Sequence, residues 1–139
     1  MDQDTADKLI AEAVQARENA YAPYSKFKVG AAVVTGKGKL YSGCNIENAS
    51  YSLCTCAERT AIVKAVSSGE KNLRWMAVVA DTAQPVAPCG ACRQLMAEFG
   101  IEKIVMASTA GQRKIVSVTE LLPYSFNPSM LLGEELHSE

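Results

Sequence analysis

Histidine is almost absent from this chain of 139 residues, which holds a single histidine, His137, near its end. Reactions that need histidine as a proton carrier or as a metal ligand are therefore not expected. An excess of charge is also lacking, because 14 basic and 15 acidic side chains leave a net charge of -1. That balance argues against a protein that binds nucleic acid or an anionic membrane surface.

Long apolar runs and a targeting signal are missing as well. The longest apolar stretches, such as residues 75–80, are far too short to cross a bilayer. A secretory signal opens with positive charge, whereas acidic side chains are spread over the first twenty residues. We therefore expect a soluble protein of the cytoplasm.

The remaining composition is that of a globular domain. Apolar residues make up 48% of the chain and charged residues 21%, which excludes a disordered or collagen-like protein. A length of 139 residues is too short for two ordinary domains. A domain of this size buries roughly two thirds of its unfolded surface, so a core can form without a metal staple. We expect one domain over residues 1–139.

Hydrophobic periodicity and turn residues predict the element order α-β-β-α-β-α-β-β. The first helix is predicted to begin at an N-cap Asp4 and to end near Asn19, and alternation from Phe27 marks the first strand. The further predicted elements are strands at 39–44, 73–80, 103–107 and 113–118, helices at 56–68 and 89–99, and a helical turn at 119–122. Strands that alternate with helices imply an α/β fold with a partly parallel sheet covered on both faces.

Five cysteines are the most informative feature. An odd number in a chain without a signal sequence argues against a disulfide framework and favours metal binding or chemistry. Pro88 suits the first turn of a helix, so Cys89 and Cys92 lie one turn apart on one face. Cys56 stands at the start of another predicted helix. The positive dipole ends of both helices favour thiolates at these positions.

Three thiolates from two helix starts form a soft donor set for zinc and leave one coordination position over. An open fourth position is typical of catalytic zinc, which activates a water molecule. Glu58 follows Cys56 by two residues and is well placed to move a proton from that water to a substrate nitrogen. The alternative is a structural site closed by a fourth thiolate, because Cys54 forms a C-x-C pair with Cys56.

Four sequence blocks, in a fixed order, carry a family resemblance. The blocks are YAPYSKF at 21–27, GCNIENASY at 43–51, CAERTA at 56–61 and PCGACRQ at 88–94. They resemble the cytidine deaminases, the small, homotetrameric, three-cysteine branch of the zinc nucleoside and nucleotide deaminases. The resemblance extends from the first helix to Phe126 and implies a three-layer α/β/α sandwich around a five-stranded mixed sheet.

The resemblance implies roles for residues at the metal. Cys56, Cys89 and Cys92 would hold one zinc ion per chain, and Glu58 would shuttle the proton. Zinc with three thiolates carries a net charge of -1, which makes a bound water a poor acid. A guanidinium at Arg59, next to the sulfurs, would withdraw part of that charge.

The substrate contacts follow from the resemblance in the same way. Asn45 and Glu47 would hold the ribose hydroxyls, since an amide and a carboxylate suit a diol. Phe27 would pack against the pyrimidine ring, and the backbone at Ala57 would bond the edge of the ring. Tyr51 would line the site.

The implied activity is zinc-dependent hydrolysis of cytidine, and of 2′-deoxycytidine, to uridine or deoxyuridine and ammonia, in pyrimidine salvage. A homotetramer with shared active sites is also implied, in which Phe126 reaches into a neighbouring subunit's site. The alternatives are a deaminase of a modified or antibiotic nucleoside and a structural four-cysteine zinc module. Polynucleotide editing is disfavoured, because it needs a basic track for the strand.

Overall fold

The computed structural model describes residues 1–133, which form a five-stranded mixed sheet with helices on both faces. His137 lies outside the described residues. The strands are β1 (Val29–Thr35), β2 (Leu40–Cys44), β3 (Leu73–Ala80), β4 (Lys103–Ser108) and β5 (Arg113–Ser117). The helices are α1 (Gln3–Arg17), α2 (Ala57–Ser67), α3 (Gly90–Glu98), α4 (Val118–Leu121) and α5 (Pro128–Leu132), with a 3-10 turn at Tyr51–Leu53.

The strand order is β2-β1-β3-β4-β5. β3 and β4 run parallel and are joined through α3, whereas the other neighbouring strands pair antiparallel. A parallel pair needs a crossover connection of this length, usually a helix. The predicted α/β architecture with a five-stranded mixed sheet is confirmed.

Two separate cores flank the sheet and make the molecule a three-layer sandwich. On one face, Leu9 and Ala13 of α1 pack in a cluster with Ala32 and Val34 of β1. On the other face, Ala31 and Val33 of β1 pack in a cluster with residues of α2 and α3, among them Ile62 and Met96. Because side chains alternate along a strand, β1 is buried on both faces and reads as a continuous apolar run.

Two glycines let the helices approach the sheet closely. A Cβ atom added at Gly30 of β1 would lie 1.9 Å from the carbonyl oxygen of Ala13 in α1. A Cβ atom at Gly43 of β2 would lie 2.6 Å from the amide nitrogen of Ala61 in α2. A larger residue at either position would push a helix away from the sheet.

The structure differs from the sequence predictions at both ends of the described chain. α1 is capped by Asp2, whose carboxylate accepts a 2.8 Å hydrogen bond from the amide of Thr5, and not by Asp4. Asp4 lies inside the first turn, where its charge suits the helix dipole. α5 was not predicted, although Asn127 caps it and Pro128 occupies its first turn. Within residues 1–133, no helix has the length and apolar character needed to span a membrane.

Candidate active site

The candidate site lies at one edge of the sheet, where two helices begin. Val29 at the start of β1 pairs with Ala80 at the end of β3, and its neighbour Gly30 pairs with Cys44 at the end of β2. The chain segments that follow these two strand ends therefore start from the same edge. They lead to the beginnings of α2 and α3.

Cys56 and Cys89 are the N-cap residues of α2 and α3. Both have extended backbone angles, and neither side chain makes a capping hydrogen bond. An ordinary N-cap side chain would accept a bond from an amide of the first turn. Here the thiols are directed to one another, and the positive ends of two helix dipoles favour their thiolate forms.

The three sulfur atoms lie at distances that suit one metal ion. The Sγ atoms of Cys56 and Cys89 are 3.9 Å apart, and those of Cys89 and Cys92 are 3.5 Å apart. All three sulfurs lie within 4.8 Å of one another. Zinc–sulfur bonds of about 2.3 Å at tetrahedral angles separate two sulfurs by about 3.8 Å. The donor set therefore fits zinc in chemistry and in spacing.

Cys54 does not join this group. Its sulfur accepts a bond from the amide of Asn48 at 3.3 Å and donates to the carbonyl of the same residue at 3.6 Å. Within the part of the chain that the structure describes, the close group of metal-ligating side chains contains Cys56, Cys89 and Cys92 alone. The geometry therefore gives no support to a site closed by four thiolates.

The thiols influence one another strongly. The pKa of Cys56 is lowered to about 6, because its sulfur accepts a hydrogen bond from Cys92 and a further one from Cys89. The guanidinium of Arg59 adds a weaker attraction for the Cys56 thiolate. The pKa of Cys92 is raised, first because this thiol donates to Cys56 and then because it is buried. The lowered pKa therefore favours a negative charge on the sulfur of Cys56, the N-cap residue of α2.

Glu58 is a buried acid in the first turn of α2, with 5% of its surface exposed. The pKa of Glu58 is raised to about 7, chiefly by burial and to a smaller extent by the nearby charge of Cys56. A carboxyl group with a pKa near neutral can both accept and release a proton during a reaction. The local structure therefore suits Glu58 for the proton transfer predicted from the sequence.

A cavity of about 240 Å³ opens beside the sulfurs and Glu58. Phe27, Asn45 and Ala57, all predicted to contact substrate, line it together with Cys56 and Cys89. Sequence reasoning missed the other lining residues, which are apolar: Val29, Val78, Val86 and Ala87. Val86 and Ala87 directly precede the PCGAC block, and this position in the sequence could have identified them as residues that line the cavity. The cavity has the mixture of apolar walls and a few polar groups that is typical of a small-molecule site.

Asn45 is fixed by the backbone on both sides of its amide. Its Oδ1 accepts from the amide of Val29 at 2.9 Å, and its Nδ2 donates to the carbonyl of Phe27 at 2.8 Å. An amide group has two donor hydrogens and two acceptor lone pairs. One donor hydrogen and one acceptor lone pair of the amide stay free to bind a ligand. Asn45 therefore stabilises the start of β1 and also forms part of the cavity wall.

Glu47 and Tyr51 line a second depression of about 340 Å³ rather than the cavity at the sulfurs. The Glu47 carboxylate accepts bonds from the amides of Tyr24 at 3.0 Å and Ser25 at 3.1 Å, and from the Ser25 hydroxyl. The Ser25 hydroxyl is the main reason why the pKa of Glu47 is lowered from its usual value. Tyr51 has 81% of its surface exposed.

The remaining predicted residues, Arg59 and Phe126, do not line the cavity at the sulfurs. Arg59 is half-buried and borders a separate depression between α2 and α3. Phe126 is 57% exposed, and its carbonyl accepts a 2.7 Å bond from Gln94 of α3. Arg93, which follows the last ligand, is bonded to the carbonyls of Pro88 and Leu121 at 2.8 Å each. It fastens the start of α3 to α4.

An α/β sandwich that gathers three thiols and a buried carboxyl at two helix N-termini defines a class, the zinc-dependent hydrolases. Comparison with known proteins narrows the class. The model of the cytidine and deoxycytidylate deaminase zinc-binding region matches residues 3–108. The chain therefore belongs to the cytidine and deoxycytidylate deaminase family, and its cofactor is zinc.

Individual relatives support the same family. The cytidine deaminase of Sporosarcina psychrophila is 53% identical over 123 residues, which cover 87% of this chain and 90% of that protein. The cytidine deaminase of Halalkalibacterium halodurans is 53% identical over 120 residues, or 85% and 91% of the two chains. The crystal structure of cytidine deaminase from Burkholderia pseudomallei superposes with a TM-score of 0.84 at 49% identity, covering 91% of this chain and 100% of that one.

Proposed function

We propose that this protein is an enzyme that hydrolyses cytidine to uridine and ammonia, with residues 1–139 acting as one catalytic domain. The observation that carries the proposal is the arrangement of a single cavity. Cys56 and Cys89, two of the three close thiols, line it together with the buried Glu58, Phe27 and Asn45. The relatives at 53% identity bear the name cytidine deaminase, which supports the same substrate.

In this proposal Cys56, Cys89 and Cys92 hold the zinc ion. When bound, zinc acts as a Lewis acid that makes a water molecule nucleophilic near neutral pH. The residues of the chain prepare this role. Two helix dipoles favour thiolates at the N-cap residues Cys56 and Cys89, and the charge of Arg59 acts on Cys56 from the side of α2.

Glu58 moves the proton. Its carboxylate Oε accepts a proton from the attacking water, whose oxygen forms a bond to C4 of the ring. The protonated carboxyl then delivers this proton to ring N3. Glu58 then takes the proton of the new C4 hydroxyl and passes it to the exocyclic nitrogen, so that the C4–N bond breaks, ammonia leaves and the C4 carbonyl forms. Each transfer needs a group with a pKa near neutral, which burial gives to Glu58.

The remaining wall residues bind and orient the nucleoside. Phe27 packs against the pyrimidine ring, and the backbone at Ala57 bonds the edge of the ring. Asn45 and Glu47 bind sugar hydroxyls, and Tyr51 lines the outer end of the site.

The same site accepts 2′-deoxycytidine in our proposal, and the product enters pyrimidine salvage. We place the enzyme in the cytoplasm, because its thiol ligands and its free Cys44 and Cys54 suit a reducing compartment.

We also propose a homotetramer with shared active sites. Phe126 lies on an exposed stretch beside α3 and does not line the cavity of its own chain. That position suits an aromatic side chain that completes a neighbouring subunit's site. Light scattering of the purified protein should give four times the chain mass, and Phe126→Ala should lower activity. A fully active monomer would remove the proposed role of Phe126.

The deciding experiment follows the ultraviolet band of cytidine with the purified protein. We expect loss of the band, abolition of this loss by a chelator, and recovery on addition of zinc. The same assay is repeated with 2′-deoxycytidine and with base-modified cytidines. A protein that holds one zinc per chain and converts only a modified nucleoside would contradict the proposed substrate.

A further inference from the structure

The carboxylate of Glu47 is held by three donors that come from two consecutive residues. The amides of Tyr24 and Ser25 both donate to Oε1, at 3.0 and 3.1 Å. The Ser25 hydroxyl donates to Oε2. A carboxylate that is bonded only to solvent is free to rotate. The three bonds to Glu47 instead fix both of its oxygens.

A count of acceptor positions shows what this leaves for a ligand. An ionised carboxylate offers about four acceptor sites, two on each oxygen. Oε1 of Glu47 is filled by two amides, and Oε2 is half filled by Ser25. One acceptor position therefore remains, and it lies on Oε2.

Ser25 also connects Glu47 to the part of the site that faces the base. Its hydroxyl oxygen accepts a 3.0 Å bond from the amide of Phe27 while its hydrogen goes to Glu47. Lys26, which lies between Ser25 and Phe27, has a φ of 62°, which is uncommon for a residue other than glycine. Surrounding bonds must hold such a backbone in place, and Glu47 and Ser25 supply them here.

We propose that Ser25 is a positioning residue for sugar recognition: its hydroxyl orients the Glu47 carboxylate so that a single acceptor, on Oε2, receives one sugar hydroxyl. The inference rests on the proposed function, since it assumes that a nucleoside binds with its sugar at Glu47. It also refines the expectation from the sequence, in which an amide and a carboxylate face a diol. Glu47 binds one hydroxyl of the sugar and has no acceptor for a second.

The test measures kcat and KM of the wild type and of Ser25→Ala with cytidine and with 2′,3′-dideoxycytidine, which lacks both ring hydroxyls. We expect kcat/KM for cytidine to fall about tenfold in Ser25→Ala, chiefly through KM, as for the loss of one hydrogen bond to a charged group. The dideoxy compound, followed by turnover or as a competitive inhibitor, should show less than about a twofold change.

Three matched variants separate the hydroxyl from side-chain shape and from general damage. Ser25→Thr keeps the hydroxyl and should restore kcat/KM, whereas Ser25→Val has the same shape without it and should behave as Ser25→Ala. Ser68→Ala removes a hydroxyl that donates to the Lys64 carbonyl at 2.7 Å, at the far end of α2. At 1.5 Å per residue, Ser68 lies about 18 Å along the helix from Cys56. The Ser68→Ala variant should therefore have the same kcat and KM as the wild type with both compounds.

A double-variant comparison shows whether Ser25 acts through Glu47. In a Glu47→Ala background, Ser25→Ala should cause no further loss with cytidine. An additive loss, or an equal loss with the dideoxy compound, would overturn the proposal and assign Ser25 to the backbone of Phe27. A Ser25→Ala variant that matches the wild type would also overturn it. A wild type that does not convert cytidine would instead refute the proposed function itself.

Discussion

The two ends of the candidate site are built in different ways. At the metal end, Cys92 and Glu58 are buried, and the ligands stand on the first turns of two long helices. At the end that we propose for sugar binding, Tyr51 is largely exposed, and the Glu47 carboxylate is fixed by bonds from two backbone amides. The first end depends on packing and the second on hydrogen bonds.

This difference corresponds to the tasks that we propose for the two ends. Proton transfer beside a metal needs groups that stay in place and pKa values set by burial, which helices in a core supply. Recognition of a sugar needs exposed polar groups that exchange water for hydroxyls, and loops supply these. Substitutions at the metal end should therefore affect kcat, and substitutions at the sugar end should affect KM.

The largest effect is expected for a metal ligand. Cys92→Ala removes one of three thiolates from a fully buried position, so zinc should be lost and cytidine turnover should fall below detection. The matched control is Cys54→Ser, because Cys54 bonds only to the backbone of Asn48. It should retain one zinc per chain and turnover within about twofold. Zinc content is measured by elemental analysis beside the activity.

The control variant also tests the structural alternative. If Cys54→Ser lost zinc or unfolded, a four-thiolate site would be indicated, and the contrast between a buried catalytic end and an exposed binding end would fail.

Glu58→Gln is expected to have the next largest effect. Glutamine keeps the shape of the side chain but cannot carry the proton, so kcat should fall about 10³- to 10⁴-fold. Zinc should remain bound at one per chain, and KM should change little. Full activity of this variant would refute Glu58 as the proton carrier.

The sequence predicted the metal end far better than the sugar end, for physical reasons. Short-range spacing in the sequence was enough to predict the metal-end residues, which are Cys56, Glu58, Cys89 and Cys92. The helices that carry them also have start and stop signals close by in the sequence. Gly69 and Gly100, with φ of 99° and 71°, end α2 and α3 close to the predicted positions. Residue spacing and helix-end signals therefore both predict where the metal-end residues lie.

The sugar end depends on contacts between distant parts of the chain. Ser25 and Glu47 are 22 residues apart, and nothing in either segment shows that one hydroxyl meets one carboxylate. Val86 and Ala87 line the cavity without any chemical signature of their own, and only their position before the PCGAC block points to them. Phe126 was predicted in a neighbouring site, and that expectation stays a prediction.

A third prediction tests the packing beneath the metal end. Gly43→Ala would place a Cβ atom 2.6 Å from the amide nitrogen of Ala61, so α2 must move away from β2. Overpacking of this kind costs about 1–3 kcal/mol of unfolding free energy. Gly90→Ala is the control, because an added Cβ meets no atom within 4 Å. Thermal unfolding should show a clear loss of stability for the first variant and none for the second.

The smallest predicted effect concerns the ionisation of Glu47. Because the Ser25 hydroxyl donates to the carboxylate, it stabilises the charged form and holds the pKa of Glu47 below its usual value. Ser25→Ala removes that bond, so the pKa should rise and protonation should begin at a higher pH. Carbon-13 NMR of the glutamate side-chain carboxyl groups measures this directly. Glu120, whose pKa is lowered chiefly by Ser117, titrates in the same spectrum and should not move. An unchanged pKa of Glu47 would mean that the two backbone amides alone fix this carboxylate.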